Sequence, residues 1–191
     1  MIRYGAILGY NIRVTNDKEA YMRLVIAICF DENMLDSLTE IQDDLMRCGV
    51  KVNYTPRENL HMTIAFIGEN DDPEQIVEVM QKVPLRTFSV KLNGFRPFKD
   101  MFFADFEENE NLRDYVKRLR KALLDEEISF DRKKFLPHVT LIRRAECTKG
   151  KALLPEFQES EAMRVNGVSL MKSERGRHGM VYTEIGYVRA L

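Results

Sequence analysis

Two tetrapeptides hold the side chains best suited to chemistry: His61-Met62-Thr63-Ile64 and His138-Val139-Thr140-Leu141. On a β-strand, residues two apart face the same side, about 6.6 Å from one another at ~3.3 Å per residue. Each tetrapeptide, if extended, therefore presents an imidazole beside a hydroxyl. The imidazole exchanges a proton near neutral pH, and the hydroxyl can donate a hydrogen bond to a phosphate oxygen. A lone histidine on a strand is more often structural than catalytic. Here, however, the chain has three histidines and eight threonines, and two of the three histidines have a threonine two places on. Coincidence is a poor account of that pairing. The third, His178, lacks this context and is expected in a loop without a catalytic role.

The elements that must position these residues follow from hydrophobic period and punctuation. Met22 to Phe30 is apolar and β-branched, as a buried strand would be. Asp31 can cap a helix whose apolar Met34, Leu35, Leu38, Ile41, Leu45 and Met46 keep helical spacing, and Gly49 ends it. A strand over Leu60 to Ile67 carries the first tetrapeptide. Strict alternation puts Leu60, Met62, Ile64 and Phe66 on its core face and leaves His61, Thr63 and Ala65 on the other. Asp72-Pro73 opens a helix to about Lys82, and strands are expected near Thr87 to Asn93 and Met101 to Phe106.

The pattern then restarts. Asn109 can cap a helix with Leu112, Tyr115, Val116, Leu119 and Leu123 on one face. A strand over Pro137 to Ile142 carries the second tetrapeptide, with Val139 and Leu141 facing the core. A short helical stretch near Lys151 to Phe157 and strands near Met163 to Met171 and Met180 to Val188 complete the chain. Both halves read helix, strand, helix, strand, strand, and the two histidines fall at the same point in each, 77 positions apart. That match predicts an internal duplication. The expected architecture is α+β and two-lobed, with pseudo-duplicated antiparallel sheets flanked by helices around a central groove. Residues 22–191 make up this single bilobal domain, and residues 1–21 are an extension that periodicity does not assign.

Composition narrows the class. Apolar residues are 45% and charged residues 31%, the balance of a globular protein. The longest apolar run, Leu24 to Phe30, is strand length and far short of the roughly 20 residues of a membrane helix. Cys29, Cys48 and Cys147 lie far apart without metal-ligand spacing, and with no secretory pattern at the N-terminus they read as reduced thiols of a cytoplasmic protein. A net charge of −1 argues against a protein that coats long nucleic acid but not against one that takes a nucleotide or an RNA end at a local positive site.

With both tetrapeptides and their flanks in view, the chain resembles the two-histidine (2H) phosphoesterase superfamily. Within it, the resemblance is to the bacterial and archaeal RNA 2′,3′-cyclic phosphodiesterases long called 2′-5′ RNA ligases. It runs from about Met22 to Leu191 and is carried by Met22-Arg23-Leu24-Val25-Ile26-Ala27, by Pro56 to Gly68 and by Phe135-Leu136-Pro137-His138-Val139-Thr140-Leu141-Ile142-Arg143. The resemblance implies two lobes with antiparallel sheets, a groove lined by both motifs, and opening of a 2′,3′-cyclic phosphate to a 2′-phosphate. Its partners would be RNA ends or nucleotides with a 2′,3′-cyclic phosphate, with no membrane and no cofactor, in a monomer.

By the same resemblance His138 is the base that activates water and His61 the acid that protonates the leaving oxygen; the residues alone leave the reverse open. Thr63, Thr140 and Arg143 would bind the phosphate. Family members often carry an Arg-x-Leu-Trp-like strand in mid-chain, where this chain has Met101-Phe102-Phe103-Ala104-Asp105 and no tryptophan.

Other features have two readings each. Arg132-Lys133-Lys134, Arg143-Arg144 and the basic segment Lys172 to Gly179 are either solvated faces or a border that attracts RNA phosphates. Phe135 either packs in the core or stacks on a base. A metal enzyme would need a carboxylate or third imidazole beside the pair, and no motif supplies one. A non-catalytic RNA- or nucleotide-binding module on the same fold is the alternative function, but binding alone does not call for two titrating groups.

Overall fold

Asp31, Asp72 and Asn109 each accept a hydrogen bond from the backbone N–H three residues on, at 2.9 Å. Each thus satisfies a donor that a helix N-terminus leaves unpaired, a contribution of about 1 kcal/mol apiece. The computed structural model describes residues 22–147, 154–177 and 179–191; the extension 1–21 and His178 lie outside them. In chain order the elements are β1 (Met22–Cys29), α1 (Glu32–Arg47), β2 (Val50–Tyr54), a 3-10 turn (Arg57–Asn59), β3 (His61–Asn70), α2 (Pro73–Lys82), β4 (Phe88–Val90), β5 (Leu92–Phe98), β6 (Met101–Phe106), α3 (Glu110–Asp125), β7 (His138–Cys147), β8 (Met163–Val165), β9 (Gly167–Gly176) and β10 (Gly179–Arg189).

The strands form two four-stranded antiparallel sheets, ordered β10-β9-β1-β3 and β2-β7-β6-β5, and a two-stranded ribbon β4-β8. The fold is α+β. The two sheets are related as a duplication requires, because β3-β1-β9 in one matches β7-β6-β5 in the other. The match places Met101–Phe106 at the start of the second half rather than at the end of the first, where the element pattern puts it. The halves then exchange strands: β5 of the first half pairs with β6 of the second, and β9 of the second pairs with β1 of the first. Helices cross over too, with α1 packing on β2 and β7, and α3 packing on β3. One buried cluster takes residues from both sheets, among them Ile26, Ile28, Met62, Ile64, Ala104, Val139 and Leu141.

Three expectations need correction. Val50–Tyr54 forms a strand that the sequence reading passed over; Gly49, at φ +84°, turns the end of α1 directly into it. The expected strands over Thr87 to Asn93 and Met163 to Met171 are each broken in two, at Lys91 and at Asn166, where the chain leaves the ribbon for a main sheet. The expected helix near Lys151 to Phe157 is absent over residues 154–157, while 151–153 lie outside the described residues. Pro155 disfavours helical backbone at Leu154 and supplies no N–H of its own. Among the described residues, no helix is long and apolar enough to cross a membrane.

Candidate active site

Each His-x-Thr segment opens a strand, and each strand carries the same irregularity just past its threonine. On β3, Thr63 faces Ala27 and Ala65 faces Ile26, so Ile64 has no partner on β1. On β7, Thr140 faces Phe103 and Ile142 faces Phe102, so Leu141 has no partner on β6. An extra residue of this kind is a β-bulge, and it shifts every later side chain to the opposite face. Strict alternation would send Phe66 to the core and Arg143 away from the histidine. Instead Phe66 lies with Val25, Ala27, Met171 and Tyr182 on the histidine face, whereas Ala65 joins the main core. By the same register Arg143 shares a face with His138 and Thr140, because Met101, Phe103 and Asp105 oppose the three in alternation.

The two motifs meet. Strands β3 and β7 pack against one another. Arg143 stands close enough to His61 for its charge to lower the imidazole pKa, although burial is the larger cause. A backbone hydrogen bond to Asn59 acts in the opposite sense and anchors the ring. His138 is anchored likewise, with Nδ1 2.7 Å from the carbonyl of Leu136. Since a carbonyl only accepts, Nδ1 carries the proton and leaves Nε2 for a substrate. Each imidazole is thus held by the carbonyl two residues before it. His61, His138, Thr63 and Thr140 are half-buried, and Arg143 is exposed.

Aromatic neighbours flank both rings. Tyr182 meets His61 edge-on at 4.6 Å between ring centroids. The start of β10 is brought there by Asn59, whose Nδ2 donates to the Met180 carbonyl at 2.7 Å. The basic segment ending at Gly179 therefore adjoins the first motif, with Arg175 and Arg177 exposed. Phe103 lies 4.4 Å from His138 and stacks at 5.2 Å on Phe98, which is 42% exposed. Arg96 covers both phenylalanines, at 5.5 and 5.7 Å from their centroids, and its Nε binds Asp105 at 2.7 Å. Sequence reasoning gave Arg96, Phe98, Phe103 and Asp105 no role. The tight turn at Lys99-Asp100 between Phe98 and Met101 would have located them, since it fixes the register that puts Arg96, Phe98, Phe103 and Asp105 on one face. Phe135 packs on the core beneath Arg120.

On β1, Cys29 stands opposite His61. Its Sγ lies 3.6 Å from Ser169 Oγ, which binds Glu184 at 2.6 Å, and burial pushes the thiol pKa up. Among the described residues, no three His, Cys, Asp or Glu side chains converge as a metal-binding group. A separate open depression of ≈ 610 Å³ is lined by Thr87, Arg164, Asn166, Tyr187 and Arg189, none of which comes from the histidine strands.

Known proteins resemble this chain in sequence and fold. A protein of Thermotoga maritima named RNA 2′,3′-cyclic phosphodiesterase is 32% identical over 132 residues, covering 64% of this chain and 70% of its own. One of the same name from Methanothermobacter thermautotrophicus is 27% identical over 182 residues, covering 88% of this chain and 98% of its own. The crystal structure of a Thermus thermophilus protein superposes with a TM-score of 0.70 at 26% identity, over 88% of this chain and 97% of that one. E. coli LigT complexed with 3′-AMP shares the fold at a TM-score of 0.72 and 18% identity, over 90% of this chain and 99% of its own. The family model of the 2′-5′ RNA ligase superfamily matches residues 36–177, which take in both histidine strands, and the chain belongs to that superfamily.

Proposed function

We propose that this chain hydrolyses the 2′,3′-cyclic phosphate of RNA ends or nucleotides to a 2′-phosphate, using His61 and His138 as an acid–base pair without a metal. The observation that carries the reading is the repeated geometry: two anchored imidazoles, each followed by a threonine and the same bulge, with Arg143 of one strand beside the histidine of the other. The names of the curated relatives support it. In the step, a water oxygen attacks phosphorus and its proton passes to one imidazole. The bond from phosphorus to O3′ breaks, and the other imidazole gives its proton to O3′. The hydroxyls of Thr63 and Thr140 and the Arg143 guanidinium donate to the phosphate oxygens, where negative charge gathers. Phe98 and Phe103, under Arg96, offer the base a face to stack on beside His138. With a 5′-hydroxyl in place of water, the same step forms a 2′-5′ bond.

The environment of His61 favours a division of labour opposite to that implied by family resemblance. Burial and Arg143 lower the pKa of this imidazole and so favour its neutral form, which is the state a base needs. His61 then takes the proton from water, and His138, with Nδ1 fixed by Leu136, delivers one from Nε2. The activity is tested by incubating the protein with the four nucleoside 2′,3′-cyclic phosphates and with an RNA ending in one, then identifying the monoester by phosphorus NMR. A 2′-phosphate is expected. Recovery of unchanged cyclic phosphate, or of a 3′-phosphate alone, would refute the reading.

A further inference from the structure

The bulges create a structural problem whose solution links the two motifs. An extra residue has no partner across the bulged edge of its strand, so its buried carbonyl takes hydrogen bonds from outside that pairing. On β7 that carbonyl belongs to Leu141, and on β3 to Ile64; both residues are fully buried. The Leu141 carbonyl accepts from Gln42 Nε2 of α1 at 2.8 Å, and the same nitrogen donates to the Thr55 carbonyl at 2.9 Å. The Ile64 carbonyl accepts from Arg120 of α3, from Nε at 3.1 Å and Nη2 at 3.0 Å, and Arg120 Nη1 donates to the Lys133 carbonyl at 2.8 Å. Gln42 and Arg120 are each the eleventh residue of their helix, so the duplication repeats this device with different side chains.

The placement of the second carbonyl matters most. Thr55 lies on the approach to His61, and Lys133 on the approach to His138. Each helix side chain therefore joins the bulge of one histidine strand to the lead-in of the other. A backbone bond doubles each link: Thr55 N–H donates to Leu141 O at 2.9 Å, and Asp131 N–H donates to Phe66 O at 2.8 Å. We infer that Gln42 and Arg120 are positioning residues, paired struts that set the two His-x-Thr motifs at working distance from each other. Gln42 is only 6% exposed, and the half-buried Arg120 has its guanidinium 5.6 and 5.7 Å from the rings of Phe130 and Phe135, contacts that hold each strut in place. The inference rests on the functional reading of the histidines but adds residues that touch neither substrate nor imidazole.

Misplacing a reacting group by about 1 Å from a distance can cost on the order of 10² in rate. Gln42→Met and Arg120→Met keep most of the volume and remove the donors. With uridine 2′,3′-cyclic phosphate, kcat should fall by on the order of 10–10² while KM changes little, because the binding groups remain. Arg120→Lys, whose ammonium keeps donors but not the rigid planar fork, should recover part of the loss. In the free protein, NMR titration of the ring signals should show the His61 midpoint rising toward that of an ordinary imidazole. That ring is faced by Arg143 from β7, Tyr182 from β10 and Cys29 from β1, and a loosened strut lets water in and Arg143 away.

If a methionine variant fails to fold, Gln42→Asn, one methylene too short to span both carbonyls, undergoes the same two measurements. Folded variants with a lowered Tm but wild-type kcat and an unmoved His61 midpoint would reduce the struts to plain stability elements and overturn the inference. A wild-type protein inactive on every cyclic phosphate would sink the functional reading instead, and the NMR arm would still decide whether the struts set the site.

Discussion

The division of roles between the histidines can be tested by changing the leaving group. A ribose O3′ needs a proton as it departs, whereas a nitrophenolate leaves without one near neutral pH. On an aryl phosphodiester the acid becomes dispensable and the base does not. Removing one proton-transfer group typically costs 10²–10⁴ in rate. His138→Ala should therefore lose about 10²–10⁴ on a nucleoside 2′,3′-cyclic phosphate and recover most of that loss on bis(4-nitrophenyl) phosphate. His61→Ala should be equally impaired on both substrates. The structure sets the direction of this assignment. An unperturbed imidazole, at a pKa of about 6.5, is roughly three-quarters neutral at pH 7, and burial plus Arg143 push His61 further that way. As a base, His61 is in its working state in more than about three-quarters of the molecules. As an acid, it would work from a cationic minority of less than about one quarter.

A pH profile alone cannot separate the cases, because one neutral and one protonated histidine give the same bell whichever carries the proton. Combining it with the aryl substrate does. The alkaline limb, which reports loss of the acid, should vanish with the nitrophenyl ester, leaving an acidic limb below the ordinary imidazole value that moves up in Arg143→Met. Rescue of His61→Ala rather than His138→Ala on the aryl ester would refute the argument and restore His61 as the acid.

Further outcomes follow from the same geometry. Thr63→Ala and Thr140→Ala each remove a donor to the phosphate and should lower kcat by roughly 10²–10³ with Tm nearly unchanged, as measured by steady-state kinetics and thermal melts. Activity should survive prolonged treatment with EDTA; a loss restored only by zinc or manganese would exclude a purely histidine mechanism. Phe98→Ala should raise KM for nucleoside cyclic phosphates by on the order of tenfold, at the lower end of base–aromatic stacking, and should leave bis(4-nitrophenyl) phosphate turnover almost untouched. Acid stability should also respond. The folded pKa of His61 is depressed, so only the unfolded chain takes the proton as pH falls below about 6.5, and stability is lost through that window. His61→Gln should flatten this part of the curve in urea melts between pH 7 and pH 5.

Local signals were enough to reveal the helices, the histidine strands and the duplication. Caps at Asp31, Asp72 and Asn109 and the apolar spacing of Leu112, Tyr115, Val116, Leu119 and Leu123 are short-range features, and all of them hold in the structure. The bulges are different in kind. Nothing in Thr63-Ile64-Ala65 or Thr140-Leu141-Ile142 departs from a plain strand, because the extra residue is defined only by the partners Ala27 and Ile26, or Phe103 and Phe102. Period-2 reasoning therefore sent Phe66 and Ala65 to the wrong faces. It would also have turned Arg143 away from the phosphate that the family resemblance asked it to bind. Tyr182 failed to show for a similar reason: it reaches His61 through long-range pairing of β10 with β9 and the bond from Asn59 to Met180.

The exchange between halves explains why the second copy could not simply be inferred from the first. A histidine strand sits in one sheet with a partner strand from its own half, β1 for β3 and β6 for β7, and the next strand inward comes from the other half. The helix between partner and histidine strand packs on the opposite sheet. Neither half is thus a self-contained lobe, and selection on one motif constrains the elements that hold the other. Two carbonyls at equivalent bulges accept from a glutamine in one copy, alongside the Thr55 N–H, and from an arginine in the other, since each takes any donor of the right reach. What the duplication retains is the His-x-Thr spacing, the bulge after it and the carbonyl two residues before each imidazole. In the proposed reaction these would fix where protons and phosphate oxygens go, while the phenylalanine shelf on one side and the tyrosine on the other leave the two ends of the site chemically distinct. On the proposed mechanism, a cyclic phosphate between unlike ends would have one orientation with its base on the aromatic shelf, and that asymmetry would let two near-identical motifs act as one base and one acid.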